Sequence, residues 1–397
     1  MVNIVKGIIP QRVKGFPRDL LRITGLYKCN NQLEKHLLES AEYFLGNLGE
    51  METARGYFEQ LEYHGGRLTI SGWMLHPKRH FNSFAVYINQ HKVEEAMTKE
   101  RKDVANVYPF ISHAKDSGFF FNLHTDLKEI GRTIDICIVG ISEGREIAKI
   151  ETWYRTDIYS SLPAPPPHLT LRVTGCEVPS VFLTSGMQIY RDFWTTVCKY
   201  KDPLSIKSML DWGCGCGRIT GFFLKFSQIP KICGCDIDVE AIAWCQDNLK
   251  PAEFSVVRPH PPTAYADHAF DLIISLSVFT HLSREVQFLW LREMQRILAP
   301  GGLFLATVHG EFATLLKFPG KDIKEFLKDG IYDVLEDGSL EGVAPGGYYR
   351  AVFQTKEYTL KEWSRYFEIL EYKEGGVGHN QDVVVMMRRD PKRDKSR

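Results

Sequence analysis

Between Ser208 and Phe226 the chain passes from a short apolar run, through glycines at alternate positions, into a segment with helical periodicity. Ser208-Met-Leu-Asp211-Trp212 reads as a strand, and Gly213-Cys214-Gly215-Cys216-Gly217-Arg218 as a turn. Ile219, Phe222, Phe223 and Phe226 read as the apolar side of a helix. A strand, a glycine-rich turn and a helix make the ligand-binding corner of a doubly wound sheet, where helix N–H groups point at the sheet edge. Glycine allows positive φ and a close approach of backbone to ligand. Such a corner needs parallel strands on both sides of it.

The C-terminal half supplies them. Lys231-Ile-Cys-Gly-Cys-Asp236, Ala269-Phe-Asp271-Leu-Ile-Ile-Ser275 and Leu303-Phe-Leu-Ala-Thr307 are strand-like, with helical patterns over Val239–Leu249 and Glu285–Leu298. The second helix is expected to bury Phe288, Leu289, Leu291, Met294, Ile297 and Leu298 and to stop at Pro300-Gly301-Gly302. Val383–Met387 is the expected last strand. Strands alternating with helices imply a parallel α/β sheet. Asp271, at a strand start, reads as structural, and Asp238 as the N-cap of the helix it precedes.

Glycine spacing narrows the ligand. The dinucleotide pattern would put its third glycine at 218, which is Arg218. Asp211 stands just before the first glycine, and an acid there suits an ammonium and a sulfonium better than a pyrophosphate. This arrangement resembles motif I of class I S-adenosylmethionine (SAM)-dependent methyltransferases, and "EMQRILAPGGLFLATVHG" is similar to the family's stretch before its fifth strand. The resemblance covers about 170–390. It implies a Rossmann-like seven-stranded domain, SAM as cofactor, and a loop that holds the methionine part. Asp236 ends the second strand, where a carboxylate suits two ribose hydroxyls. The expected cofactor-binding residues are Asp211, Trp212, Gly213, Cys214, Gly215, Gly217, Arg218, Asp236, Ile237, Ser275 and Leu276. Val257-Arg-Pro-His260-Pro-Pro262 lacks the acid that family members often carry there, so no adenine partner is named.

Methyl transfer from a sulfonium is an in-line displacement that depends on alignment. A hydroxyl acceptor also needs a base, and histidine suits neutral pH. His281, His309 and His379 follow or precede strands at the edge expected to open on the cofactor, and are the catalytic candidates, with His281 first. Segment 310–356 is a long insertion of the kind that forms lids, and includes Gly346-Gly347-Tyr348-Tyr349-Arg350.

The front half reads differently. Residues 1–54 are a basic arm and an amphipathic helix. Residues 55–157 carry short alternating runs (Leu68–Met74, Phe84–Ile88, Ile134–Ile138) between turns, as in an antiparallel β-sandwich. Residues 158–169 form a proline-rich linker, 170–390 the methyltransferase-like domain, and 391–397 a charged tail. "ISGWML", "VYINQHKV" and Ser117-Gly118-Phe119 resemble a small β domain attached to bacterial glycan-building enzymes. That resemblance implies a sugar or other small hydroxyl as acceptor, polysaccharide biosynthesis as the setting, and contacts with glycan-assembly proteins through the β domain.

Equal counts of Lys+Arg and Asp+Glu, 49 each, argue against a nucleic-acid partner. No apolar run approaches the roughly 18 residues of a membrane span. Scattered cysteines, odd in number at nine, suggest reduced thiols and a cytoplasmic setting. The Cys214/Cys216 and Cys233/Cys235 pairs lack zinc-type spacing, and no metal is expected. Two rival readings remain: a small-molecule N- or carboxyl-methyltransferase, and a non-catalytic glycan-assembly scaffold.

Overall fold

A computed structural model of the chain describes residues 54–108, 111–124, 133–155, 162–318, 326–377 and 381–389. The N-terminal arm and its helix, His379 and the tail 391–397 lie outside the described residues.

The front unit has strands β1 (Arg55–His64), β2 (Arg67–Leu75), β3 (Ser83–Ile88), β4 (His91–Met97), β5 (Gly118–His124), β6 (Thr133–Ser142) and β7 (Arg145–Arg155), with a short helix α1 (Lys102–Val107). They form two antiparallel sheets, ordered β1-β2-β5 and β4-β3-β6-β7. Period-2 patterning sets their faces: Phe119, Phe121 and Leu123 of β5 are buried, while Phe120 between them is exposed. Left-handed backbone at Gly65-Gly66, Asn89-Gln90 and Glu143-Gly144 turns the hairpins tightly. The inner faces meet in one core, with Phe84 edge-on to Phe119 at 5.6 Å.

The second unit opens with α2 (Pro167–Thr174) and α3 (Pro179–Tyr200). Each begins on a proline, which is pre-set for a first helical turn. Then follow β8 (Ser208–Trp212), α4 (Thr220–Phe226), β9 (Lys231–Asp236), α5 (Val239–Asn248), β10 (Glu253–Val256), β11 (Phe270–Ser275), α6 (Arg284–Ile297) and β12 (Leu298–Val308). An insertion carries α7 (Glu311–Lys317), β13 (Ile331–Glu336), β14 (Arg350–Gln354) and α8 (Lys356–Trp363). The chain returns through β15 (Glu368–Val377) and β16 (Gln381–Met387).

Seven of these strands make one mixed sheet, ordered β10-β9-β8-β11-β12-β16-β15. The first five run parallel, and β16 is antiparallel to both its neighbours. The order reverses between β8 and β11, so the ligand crevice of such a sheet lies at their C-terminal ends.

One face is covered by α3 and α4, where Met187, Phe193, Phe222 and Phe223 pack on Met209, Leu272, Ile274 and Leu305. This core continues into the front unit: Trp153 of β7 meets Tyr190 at 6.2 Å and Phe226 at 5.4 Å, both edge-on. The other face is covered by α6. Here the expected stripe needs correction. The buried line is Gln287, Trp290, Leu291, Met294 and Ile297, the true 3.6-residue period, while Leu289 is 39% exposed and Phe288 only partly covered. Asp271 and Asp238 do what their positions suggested. Asp271 accepts from the Lys207 and Ser208 backbone N–H groups, and Asp238 caps α5 through the N–H groups of Glu240 and Ala241.

Candidate active site

The glycine loop is tight because the chain around it is tight. Gly213, Gly215 and Gly217 all have positive φ. A Cβ on Gly213 would sit 2.2 Å from Val278, and one on Gly215 would sit 2.7 Å from Val173. Neighbouring side chains, as well as backbone geometry, therefore require glycine there. The loop is pinned to the next strand by the Gly213 and Cys214 N–H groups, both donated to the Cys235 carbonyl at 2.8 and 3.1 Å.

Two acids flank this loop. Asp211, 2% exposed, accepts the Thr220 hydroxyl at 2.6 Å. Burial pushes its carboxyl up to about 7, against the pull of that hydrogen bond. Asp236 accepts the Gly215 N–H on one oxygen (2.8 Å) and the Asp238 N–H on the other (2.9 Å), and burial raises its pKa as well. Each Asp236 oxygen keeps a lone pair after these bonds, which leaves acceptor capacity for a diol.

Among the other expected cofactor residues, Ile237 lies beside Asp236 and Leu276 is partly buried against the core. Ser275 is fully buried, and its hydroxyl has no hydrogen-bond partner among the described residues. Trp212 and Cys214 turn their side chains into the core. Trp212 packs on Phe279 and Trp290, and Cys214 on Ile242 and Phe254, so only their backbone faces the loop. Cys216 packs separately with Leu169 and Phe182, and the thiols of Cys233 and Cys235 lie under α6. The two cysteine pairs thus point into different cores. Burial pushes the Cys216 thiol up to about 12 and that of Cys233 up to about 11.

Two of the three histidines come together at the other side of the crevice. His281 follows β11, with its ring centroid 6.3 Å from that of His309, which follows β12. Both are held by carbonyls of β14. His281 Nδ1 lies 2.8 Å from the Arg350 carbonyl, and His309 Nδ1 lies 3.1 Å from that of Val352. A carbonyl only accepts, so each Nδ1 carries the proton and the lone pair sits on Nε2. His281 is stacked on Tyr349 at 4.0 Å, with the Asp337 carboxylate 3.7 Å from Nδ1. His309 stacks on Phe353, and burial together with the nearby His281 pushes its pKa down to about 3. It is a neutral imidazole at physiological pH.

The donor set fits a zwitterionic nucleoside cofactor. A raised, cation-seeking carboxylate and a guanidinium (Arg218) lie at one end of the loop, and a carboxylate with spare acceptor sites at the other. Residues 210–306, from β8 to β12, match a family model described as a methyltransferase domain. That stretch of the chain is similar to a methyltransferase domain. The chain is similar to solved SAM-dependent methyltransferases from Methanosarcina mazei (20% identity, 49% of this chain and 97% of that one, TM-score 0.37) and Mesorhizobium loti (14%, 50% and 98%, 0.39). It is also similar to the N-methyltransferase NodS from Bradyrhizobium japonicum, solved with S-adenosyl-L-homocysteine (14%, 50% and 86%, 0.32).

Several residues around this site had no clear signal in the sequence. Tyr348, from the insertion, donates its hydroxyl to the Pro259 carbonyl, where Trp290 Nε1 also donates at 3.1 Å. It stands 5.3 Å from His260 and close enough to feel the charge of Asp236. The Tyr348-Tyr349-Arg350 run therefore reaches from the Asp236 end of the crevice to His281. Asp382 of β16 accepts the Tyr372 hydroxyl at 2.7 Å and the Gly375 N–H at 2.7 Å, and burial pushes it up to about 7. Gly310 makes room for it, since a Cβ there would sit 1.9 Å from its Oδ2. Gln381 donates to Ser277, whose φ of 60° is held in place by Thr307. The only hint of these was a paired tyrosine in a long insertion.

Proposed function

We propose that this chain is a SAM-dependent methyltransferase that transfers the methyl group to the oxygen of a sugar or glycan hydroxyl, with His281 as the proton acceptor. The observation that carries the reading is the orientation of His281: Nδ1 lies 2.8 Å from the Arg350 carbonyl and the ring is stacked on Tyr349 at 4.0 Å, which makes Nε2 the basic nitrogen of the neutral ring. SAM, when bound, supplies a methyl group activated on a sulfonium. The chain's residues must hold the acceptor in line and take its proton. His309 is the weaker base, because its proton affinity is suppressed by burial, and it serves to orient the acceptor.

In this reading Gly213, Gly215 and Asp211 hold the amino-acid end of SAM, Asp236 and Ile237 the ribose, and Ser275 and Leu276 the crevice floor. The seven-stranded sheet is the family's Rossmann-like domain, and the two front sheets are a β-sandwich of the type joined to glycan-building enzymes. That likeness favours a polysaccharide setting in a cytoplasm and glycan-assembly proteins as partners. No helix among the described residues is long and apolar enough to cross a membrane.

The test is release of S-adenosylhomocysteine over a panel of sugars and oligosaccharides. His281→Asn keeps the bulk and removes the base. It is expected to lower kcat by roughly a hundredfold or more while leaving SAM affinity unchanged. Full activity in that variant would favour an N- or carboxyl acceptor, which needs no base.

A further inference from the structure

The insertion after β12 brings three groups to one imidazole. Its hairpin closes where the Asp337 N–H donates to the Tyr349 carbonyl at 3.1 Å. The Arg350 guanidinium ties the same corner, through Nε to the Gly347 carbonyl at 3.0 Å and through Nη1 to that of Asp333 at 2.8 Å. From this corner the Arg350 carbonyl meets His281 Nδ1 at 2.8 Å, and the Tyr349 ring covers the imidazole at 4.0 Å. The third group is the Asp337 carboxylate, with Oδ2 3.7 Å from Nδ1. The carbonyl and the ring hold the imidazole whatever its charge. The carboxylate acts when the ring is a cation.

Asp337 is held in place and ionised. Its Oδ1 accepts the Ser339 N–H at 2.9 Å, which leaves Oδ2 to His281. The His281 side chain is 13% exposed and that of Asp337 20%, so water screens the pair only in part. Burial works against the charge, but the Ser339 bond, His281 and Lys317 of α7 together keep the carboxyl below its ordinary value. The other titratable groups facing His281 are His309, a neutral imidazole, and the Tyr349 phenol.

We propose that Asp337 is a positioning residue for methyl transfer, which stabilises the charge His281 takes up when it removes the acceptor's proton. This rests on His281 as the proton acceptor. As the acceptor oxygen bonds the methyl carbon, the carbon–sulfur bond breaks with its electron pair left on sulfur, and the hydroxyl proton passes to His281 Nε2. The imidazolium so formed has Nδ1–H beside a carboxylate, and an opposite charge at this distance raises proton affinity. The insertion thus sets the strength of the base, beyond any part in closing the crevice.

The test is a proton NMR titration of the His281 ring in the full chain, its signal identified by its loss in His281→Asn. The titration needs no acceptor, and S-adenosylhomocysteine release over the sugar panel accompanies it. Asp337→Asn keeps an acceptor for the Ser339 N–H and removes the charge. It is expected to lower the His281 midpoint by about one pH unit and to move the acid limb of the rate profile down with it. At the plateau kcat should fall about tenfold. Asp337→Glu should recover part of both effects, and S-adenosylhomocysteine affinity should stay unchanged in each variant, which also shows that each is folded. An unchanged midpoint, or a lowered midpoint with unchanged kcat, would overturn the assignment while His281→Asn remains inactive. Full activity of His281→Asn would instead overturn the base reading, and this proposal with it.

Discussion

Asp211 ties the stability of the ligand-free protein to pH. Its folded pKa is about 7 against 3.8 for the free side chain, because burial disfavours the charge, and Asp382 behaves alike under Gly310. Between about pH 4 and 7 the folded chain keeps protons that the unfolded chain releases, so stability is fully present below that window and is lost as pH rises through it. Thermal melts of the ligand-free protein should therefore fall from about pH 4 to 7. Asp211→Asn and Asp382→Asn should each flatten the fall. A melt that rises over this range, or variants that track wild type, would contradict the assignment. Local chemistry at this scale was readable where it is local. Asp238 caps N–H groups two and three residues on, while Asp211, the alternate glycines and Asp236 were found through a spaced strand–turn–helix pattern although Asp236 bonds Gly215 across to the neighbouring strand. Asp382 was not readable, because its partners Tyr372 and Gly375 lie on β15, and Gly310 beyond β12.

Among the elements, β14 governs the histidines. Its carbonyls at Arg350 and Val352 fix both rings, and alternate side chains Ala351 and Phe353 turn into a core shared with Phe312 and with Trp73, Val104 and Tyr108 of the front unit. Phe353→Ala is expected to cost about 3–5 kcal/mol of stability, as for a buried phenylalanine, and to lower kcat more than SAM affinity, since the His309 stack is lost. Denaturant titration and steady-state kinetics check this together, and an unchanged kcat would separate β14 from the chemistry. The central strands β8, β9, β11 and β12 were legible because strands buried on both faces read as continuous apolar runs. Edge strand β15 was not, since Glu368-Ile-Leu-Glu-Tyr-Lys alternates only weakly and one side has no partner strand among the described residues. The β13–β14 pair was hidden within a segment readable only as a long insertion. On α6 the burial stripe was right at Leu291, Met294 and Ile297 and misplaced at its N-terminal end, because four large apolar side chains in succession, Phe288 to Leu291, blur the period.

The two units of the whole molecule share their cores. Phe58, Phe84 and Phe119 join Met187, Phe222 and Leu305 in one continuous cluster, Tyr108 stacks on Phe312 at 5.4 Å, and Arg55 lies over the same ring at 4.0 Å. In the sequence, the proline-rich stretch and the change of pattern after it suggested a boundary between two units. No local pattern could show that the two then fold back on each other, since Phe58 and Gln188 meet from far apart in sequence. Scanning calorimetry should accordingly show one cooperative transition for the full chain. Two well-separated transitions would make the front unit an independent module.

The most direct test of the account is SAM binding, measured by calorimetry on wild type and on Asp236→Ala. Saturable binding at about micromolar affinity, lost in the variant, is the predicted result. No binding to wild type, or equal binding to the variant, would contradict a cofactor site built on the glycine loop and Asp236.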